Sequence, residues 1–262
     1  RNLDWTKDSG ISKNKLVTVY PPSGPGHHGY AIAGFAGLQG ALAGMNAQGI
    51  SISQSNLDQN QDTFFGIPWI YRTRQLLETV GDLQEAQQYW SSTNNTCGFN
   101  FLVASAADLA AGSQHPAMVL ETEAGYTAQF LDNDPREAKA TYVNKQGEVV
   151  QMGKPMKEAL YRTNHVYDPK MRADNEDSVS GWAFPDSVYR YMLIANAMED
   201  YEKEGQPIGE LEALTMTSLA AQKGSNYFQC PTTNEKHDDN VLSVMYQPGE
   251  AIMYVAWEHG TG

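Results

Sequence analysis

Arg1 and Asp4 stand three residues apart in Arg1-Asn2-Leu3-Asp4-Trp5, a fixed cation and a carboxylate framed by apolar Leu3 and Trp5. At a strand end such a pair makes bidentate, charge-assisted hydrogen bonds. On an open surface it would contribute little, but the apolar frame favours burial and a binding role. Asn46 and Asn56 lie ten residues apart and bracket the alternating run Ile50-Ser51-Ile52-Ser53-Gln54-Ser55. Asn46 falls in a turn, where asparagine commonly bonds local backbone. Asn56 closes a strand, and a carboxamide N–H there can donate to a developing oxyanion. Asn164, in Arg162-Thr163-Asn164-His165, reads first as a loop asparagine bonding nearby backbone. Arg190, in Asp186-Ser187-Val188-Tyr189-Arg190, reads first as an arginine on a helix surface.

These residues offer an oxyanion donor and an ion pair, but no convincing nucleophile. Cys97 and Cys230 fit no metal spacing and lack an adjacent basic group to lower a thiol pKa; they form one disulfide or remain two thiols. His27, His28, His115, His165, His237 and His259 show no H-E-x-x-H or other ligand spacing. His237-Asp238-Asp239 would need a G-x-S-x-G elbow to complete a hydrolase triad, and the sequence has none. Gly24-Pro25-Gly26 lacks the spacing of a phosphate cradle.

The 262 residues suit one large domain and suffice for a sizeable core, with 41% hydrophobic and 19% charged residues. A net charge of −13 argues against a nucleic-acid footprint and against electrostatic docking to anionic membranes. No apolar run approaches the roughly 18–20 residues that span a bilayer. Asn94-Asn95-Thr96 is a glycosylation sequon. With the two cysteines it leans toward a secreted or other extracytoplasmic protein.

The hydrophobic pattern supplies the elements. Strands are expected at Lys15–Tyr20, Gly29–Phe35, Leu38–Met45 and Ile50–Asn56, so the first quarter reads as consecutive antiparallel strands. Pro68 opens a helix carrying Trp69, Arg72, Leu76 and Leu77, and Asp82 with Glu85 caps a second helix that runs to Trp90. Strands resume at Phe99–Ser105, Ala117–Thr122, Tyr126–Leu131 and Ala140–Asn144. Tyr167–Ser180 reads as an exposed polar loop. Helices at Asp186–Glu202 and Ile208–Gln222 follow, then an irregular segment from Lys223 to Asp239. Strands at Asn240–Tyr246 and Ala251–Trp257 close the chain around the Gln247-Pro248-Gly249-Glu250 turn. Strands, helix pair, strands, helix pair and strands make a layered α+β fold.

The combination R-x-x-D (Arg1, Asp4), G-M-N-x-x-G-I (Gly44 to Ile50) and Asn56 resembles the N-terminal-nucleophile hydrolases, specifically the choloylglycine hydrolase and penicillin acyltransferase group. The Pro68 helix pair, Thr163-Asn164-His165 and the D-S-x-x-R start at Asp186 are similar to the acyltransferase-like branch, so the resemblance covers nearly the whole chain. In the choloylglycine branch the arginine directly follows the serine, where this chain has Val188. The resemblance implies a four-layer αββα sandwich of two antiparallel sheets. It also implies cofactor-free hydrolysis or transfer at an amide-type acyl group of a small-molecule substrate, with an N-terminal cysteine freed by autoproteolysis as nucleophile.

By the same resemblance Arg1 and Asp4 orient the cysteine and its amine, and Asn56 donates to the oxyanion. Asn164 holds the tetrahedral intermediate or the amine, and Arg190 supports the substrate pocket or the nucleophile. The nucleophile is expected roughly 16–20 residues ahead of Arg1, on a strand forming a hairpin with Arg1–Trp5 or on a separate N-terminal peptide chain. Two alternatives are a non-catalytic binding relative on the same fold and a phospholipase-like lipid acyl hydrolase. A homo-oligomer is left open.

Overall fold

Strict alternation of side chains gives the larger sheet two apolar faces, and each is covered. The computed structural model describes residues 1–6, 10–57, 61–144, 146–174, 183–221 and 238–257. Strands β2 (Lys15–Tyr20), β3 (Tyr30–Phe35), β4 (Ala43–Asn46), β5 (Ile50–Asn56), β6 (Phe99–Ser105), β7 (Ala117–Glu123) and β8 (Tyr126–Phe130) form one seven-stranded antiparallel sheet in chain order. A second sheet joins the two ends of the chain: β1 (Asn2–Thr6) pairs with β11 (Asp238–Gln247), which pairs with β12 (Ile252–Trp257). The short strands β9 (Thr141–Val143) and β10 (Val149–Gln151) form a separate hairpin.

On the outer face of the large sheet, Ile32, Ile50, Ile52, Phe101 and Leu120 pack under helices α1 (Trp69–Thr79) and α2 (Leu83–Ser91), against Leu76, Leu77 and Trp90. Burying each such side chain contributes about 1.5–3 kcal/mol. The residues one position out of phase, Ala33, Phe35 and Ala43, face the second sheet and meet Leu3, Val241, Leu242 and Val244. On its far side, helix α7 (Glu210–Ala221) covers β1 and β11, and Asn2 Nδ2 donates to the Thr217 carbonyl at 2.8 Å. Helix α6 (Ala183–Glu204) packs on α7. Helices, sheet, sheet and helices make the four layers of an αββα sandwich. Among the described residues no helix is long and apolar enough to cross a membrane.

The G-M-N turn explains its own residues. The Asn46 side chain is buried, its Oδ1 accepting from the Gln48 and Ile50 N–H groups and its Nδ2 donating to the Leu77 and Val80 carbonyls. It therefore shapes the β4–β5 turn and satisfies two carbonyls at the C-terminus of α1. Gly44 lets α1 approach: a Cβ there would lie 2.6 Å from Leu77 Cδ1 and 2.7 Å from the Ala31 carbonyl oxygen. Gly44→Ala is thus expected to destabilise the protein by about 1–3 kcal/mol, the usual cost of overpacking, read as a lower urea midpoint. An unchanged midpoint would show that α1 is not seated tightly on β4.

Some expectations need correcting. Leu38–Met45 is not one strand; only Ala43–Asn46 pairs, because the Ala41 N–H turns away to the Ile70 carbonyl of α1. Tyr167 and Asp168 are not exposed loop: both are buried, their N–H groups donating to Glu121 Oε2 at 2.9 Å. Asp168 then caps helix α5 (Pro169–Asp174) by accepting from Lys170 N–H and Met171 N–H. Residues 175–180 of that segment and most of Lys223–Asp239, with Cys230 and His237, lie outside the described residues. Three further short helices, α3 (Ala106–Ala110), α4 (Pro135–Ala138) and α5, lie where the hydrophobic pattern marks no helix.

Candidate active site

A cavity of about 900 Å³ opens between the two sheets, where β1, the ends of β5 and β6, the 160–164 segment, α6 and α7 meet. Arg1, Asp4, Asn56, Asn164 and Arg190 all line it. Residues far apart in sequence, from Arg1 to Arg190, thus border one cavity. The rest of the lining is mainly apolar, including Phe35, Trp69, Leu102, Ile194 and Met216.

Side-chain phase selects the polar wall. In β5, Ile50 and Ile52 go to the helix layer, which leaves Ser53 and Ser55 on the cavity side. In β6, Phe101 and Val103 go outward and Asn100 inward. Ser55 Oγ and Asn100 Nδ2 both donate to the Thr163 carbonyl, at 2.7 and 3.0 Å, and Asn100 also donates to the His165 carbonyl at 3.1 Å. These bonds hold the Asn164 segment against the end of the sheet. Asn164 Nδ2 donates to the Asn56 carbonyl at 2.8 Å, and Asn164 Oδ1 accepts from Arg190 Nη2 at 2.9 Å. Asn164 is therefore no locally bonded loop residue. Arg190 is no surface arginine either: it is only 6% exposed, and Asp186 Oδ2 accepts from its Nε at 2.9 Å.

Arg1 continues β1 into the second sheet, where its backbone nitrogen donates to the Val244 carbonyl and its carbonyl accepts from Val244 N–H. Burial lowers its guanidinium to about 10, against the opposing fields of Tyr246 and Asp4. It remains a cation at neutral pH beside the Asp4 carboxyl. Asn56 leaves its side chain exposed at the strand end.

Arg162, itself part of the cavity lining, centres a charge cluster that local sequence does not reveal. Arg162 is 1% exposed; its Nε contacts Glu121 Oε1 at 3.2 Å and its Nη1 contacts Glu137 Oε2 at 2.8 Å. Tyr191 of α6 donates to the other Glu137 oxygen. Burial pushes the Glu121 carboxyl up to about 7, opposed chiefly by the Arg162 charge and the Asp168 and Tyr167 N–H groups. The cluster ties β7, α4, α6 and the Asn164 segment together. Ser187, to which no local signal gives a role, also supports the segment: its Oγ accepts from the Asn164 N–H at 2.7 Å.

His165 is buried between Ser187 Oγ at Nδ1 (2.8 Å) and Tyr167 OH at Nε2 (2.7 Å). Tyr167 donates its own proton to the Met152 carbonyl, so its oxygen accepts from Nε2–H and fixes that tautomer. Burial, then the Arg162 and Arg190 charges, lower the His165 imidazole to about 3. Its proton resonances are expected to stay flat from pH 8 to 5, where an ordinary histidine titrates; a midpoint near 6.5 would contradict this. Because the folded pKa is depressed, the unfolded chain takes up a proton that the native state refuses. The His165 contribution to stability is full above about 6.5 and falls by about 1.4 kcal/mol per pH unit as pH drops toward 3.

The four-layer sandwich of two antiparallel sheets, with this polar wall at the sheet ends, is the N-terminal-nucleophile hydrolase fold. Solved structures share it at low identity. An N-acylethanolamine-hydrolyzing acid amidase ortholog from Caenorhabditis elegans matches at 15% identity and TM-score 0.55, over 95% of this chain and 86% of that one. A variant of the conjugated bile acid hydrolase from Clostridium perfringens matches at 12% and 0.61, over 100% and 85%. Penicillin V acylase from Agrobacterium tumefaciens matches at 12% and 0.56, over 98% and 78%. No curated protein sequence matches. The sequence model of the acyl-coenzyme A:6-aminopenicillanic acid acyl-transferase family matches residues 1–261, and the chain belongs to that family.

Proposed function

We propose that this chain is the body of an amide hydrolase or acyltransferase whose nucleophile is a cysteine on a segment ahead of Arg1. The observation that carries the reading is the convergence of Arg1, Asp4, Asn56, Asn164 and Arg190 on one largely apolar cavity, which no cysteine lines among the described residues. Among the described residues β1 is the edge strand of the second sheet, with β11 on one side and no strand on the other. An upstream strand, continuous with the chain or carried on a separate peptide, would pair there and bring its first residue to the cavity. The family membership and the relatives' names (amidase, hydrolase, acylase) support the same chemistry.

In this reading the cysteine's own α-amino group, which titrates near neutral pH, takes the thiol proton. The thiolate attacks the acyl carbonyl of a small-molecule substrate. Asp4 and Arg1 orient the amine and the thiol, Asn56 Nδ2 donates to the oxyanion, and the second Nδ2 hydrogen of Asn164 faces the same intermediate. The α-ammonium then protonates the departing amine, and water or another amine releases the acyl group. The apolar walls hold the acyl chain, with Arg190 supporting the site. Asn94 of the sequon is exposed in its loop, as a glycosylation acceptor must be.

The test is the protein expressed with its upstream segment and assayed against a panel of N-acyl amides and phospholipids. Turnover of amides with an acyl-cysteine intermediate is expected. Turnover of phospholipids alone would favour a lipid acyl hydrolase, and no turnover would favour a binding relative.

A further inference from the structure

We infer that Asp186 is a positioning residue for the acyl-transfer centre, acting through Arg190 on the carboxamide of Asn164. The inference rests on the proposed acyl-transfer chemistry and assigns a function to a side chain that does not itself line the cavity. Three bonds form a line into the site: Arg190 Nε to Asp186 Oδ2 (2.9 Å), Arg190 Nη2 to Asn164 Oδ1 (2.9 Å), and Asn164 Nδ2 to the Asn56 carbonyl (2.8 Å).

The line fixes which way the amide faces. With Oδ1 toward a guanidinium and Nδ2 toward a carbonyl, both contacts are attractive. A flipped amide would set NH₂ against the cation and oxygen against oxygen. Arg190 therefore presents the second Nδ2 hydrogen of Asn164 as a fixed donor, and withdrawal of electron density toward the cation makes it a stronger one. Arg190 can do this only if its own plane is held, and Asp186, one turn back on α6, holds it. Asp186 also pairs the buried Arg190 charge. Its other oxygen, Oδ1, is buried with no hydrogen-bond partner among the described residues. A half-satisfied buried carboxylate is unfavourable as a stability device, which suits a group retained for orienting its neighbour.

The experiment uses the full-length, processed protein with an N-acyl amide substrate. Asp186→Asn is expected to lower kcat by about 10²-fold with KM within about twofold, the signature of misplaced transition-state contact. Asp186→Glu should recover part of the loss. Adding Asp186→Asn to Asn164→Ala should cost nothing further, because the two act as one unit. A second readout does not depend on turnover: in protein labelled with ¹⁵N-asparagine, the Asn164 side-chain NH₂ resonances should shift in Asp186→Asn. Full kcat in Asp186→Asn, with kcat lost in Asn164→Ala, would overturn the inference and leave the acyl-transfer reading standing. Wild-type inactivity on amides would instead overturn that reading and the inference built on it. Unmoved Asn164 NH₂ resonances in Asp186→Asn would overturn the inference whatever the activity.

Discussion

Alanine in place of Asn56 is expected to lower kcat by about 10²–10³-fold with KM little changed, the loss found when one oxyanion donor is removed. The assay is amide turnover by the full-length protein. The geometry makes this a clean substitution. Asn56 ends β5, where its backbone is paired opposite Phe99 and its carbonyl accepts from Asn164 Nδ2. None of those bonds uses its side chain, which is exposed at the strand end. The fold should therefore tolerate alanine, and the unfolding midpoint should stay near wild type. An unchanged kcat would remove Asn56 from the mechanism.

Arg162→Met is expected to cost about 3–5 kcal/mol of stability, because it strands buried carboxylates without their cation. Glu121 is fully buried and Glu137 nearly so, and both face Arg162 directly. The loss should appear as a large fall in the urea midpoint, and it should shrink in the triple variant with Glu121→Leu and Glu137→Leu. Replacing the whole cluster with apolar groups removes the unpaired charges. A single variant as stable as wild type would show that the cluster does not hold the Asn164 segment.

Much of the fold was legible because the sheet pattern is local. Ile50-Ser51-Ile52-Ser53 alternates as the paired strand does, and β6 and β7 follow the expected spans closely. Asp82 caps α2 as its spacing to Glu85 implied, accepting from Glu85 N–H at 2.8 Å. Glu85 reaches back to the Gly81 N–H, one residue earlier than a capping box requires. The misreadings share a cause. Leu38–Leu42 is apolar enough for a strand, but its backbone partner is a helix remote in sequence. The polar composition around Tyr167 hides a burial that long-range partners such as Glu121 and Met152 explain, although Asp168-Pro169 is itself a helix-start signal.

The candidate site is legible from sequence in its cavity-lining members and opaque in its supports. Arg1, Asp4, Asn56, Asn164 and Arg190 were singled out from short motifs, and all five line one cavity. The Arg162 cluster was not, since its carboxylate partner Glu121 stands 41 residues away in sequence, and no periodicity marks a pairing of that kind. Asp186 was visible only as part of a motif until its bond to Arg190 gave it a task.

The most direct test of the proposed nucleophile is mass spectrometry of the native protein after brief reaction with an N-acyl amide and acid quenching. The acyl group should be recovered as a thioester on an N-terminal cysteine of a segment ahead of Arg1, and lost when that cysteine is replaced by alanine. Recovery of the acyl group on any residue between Arg1 and Gly262, or turnover that survives the replacement, would contradict it.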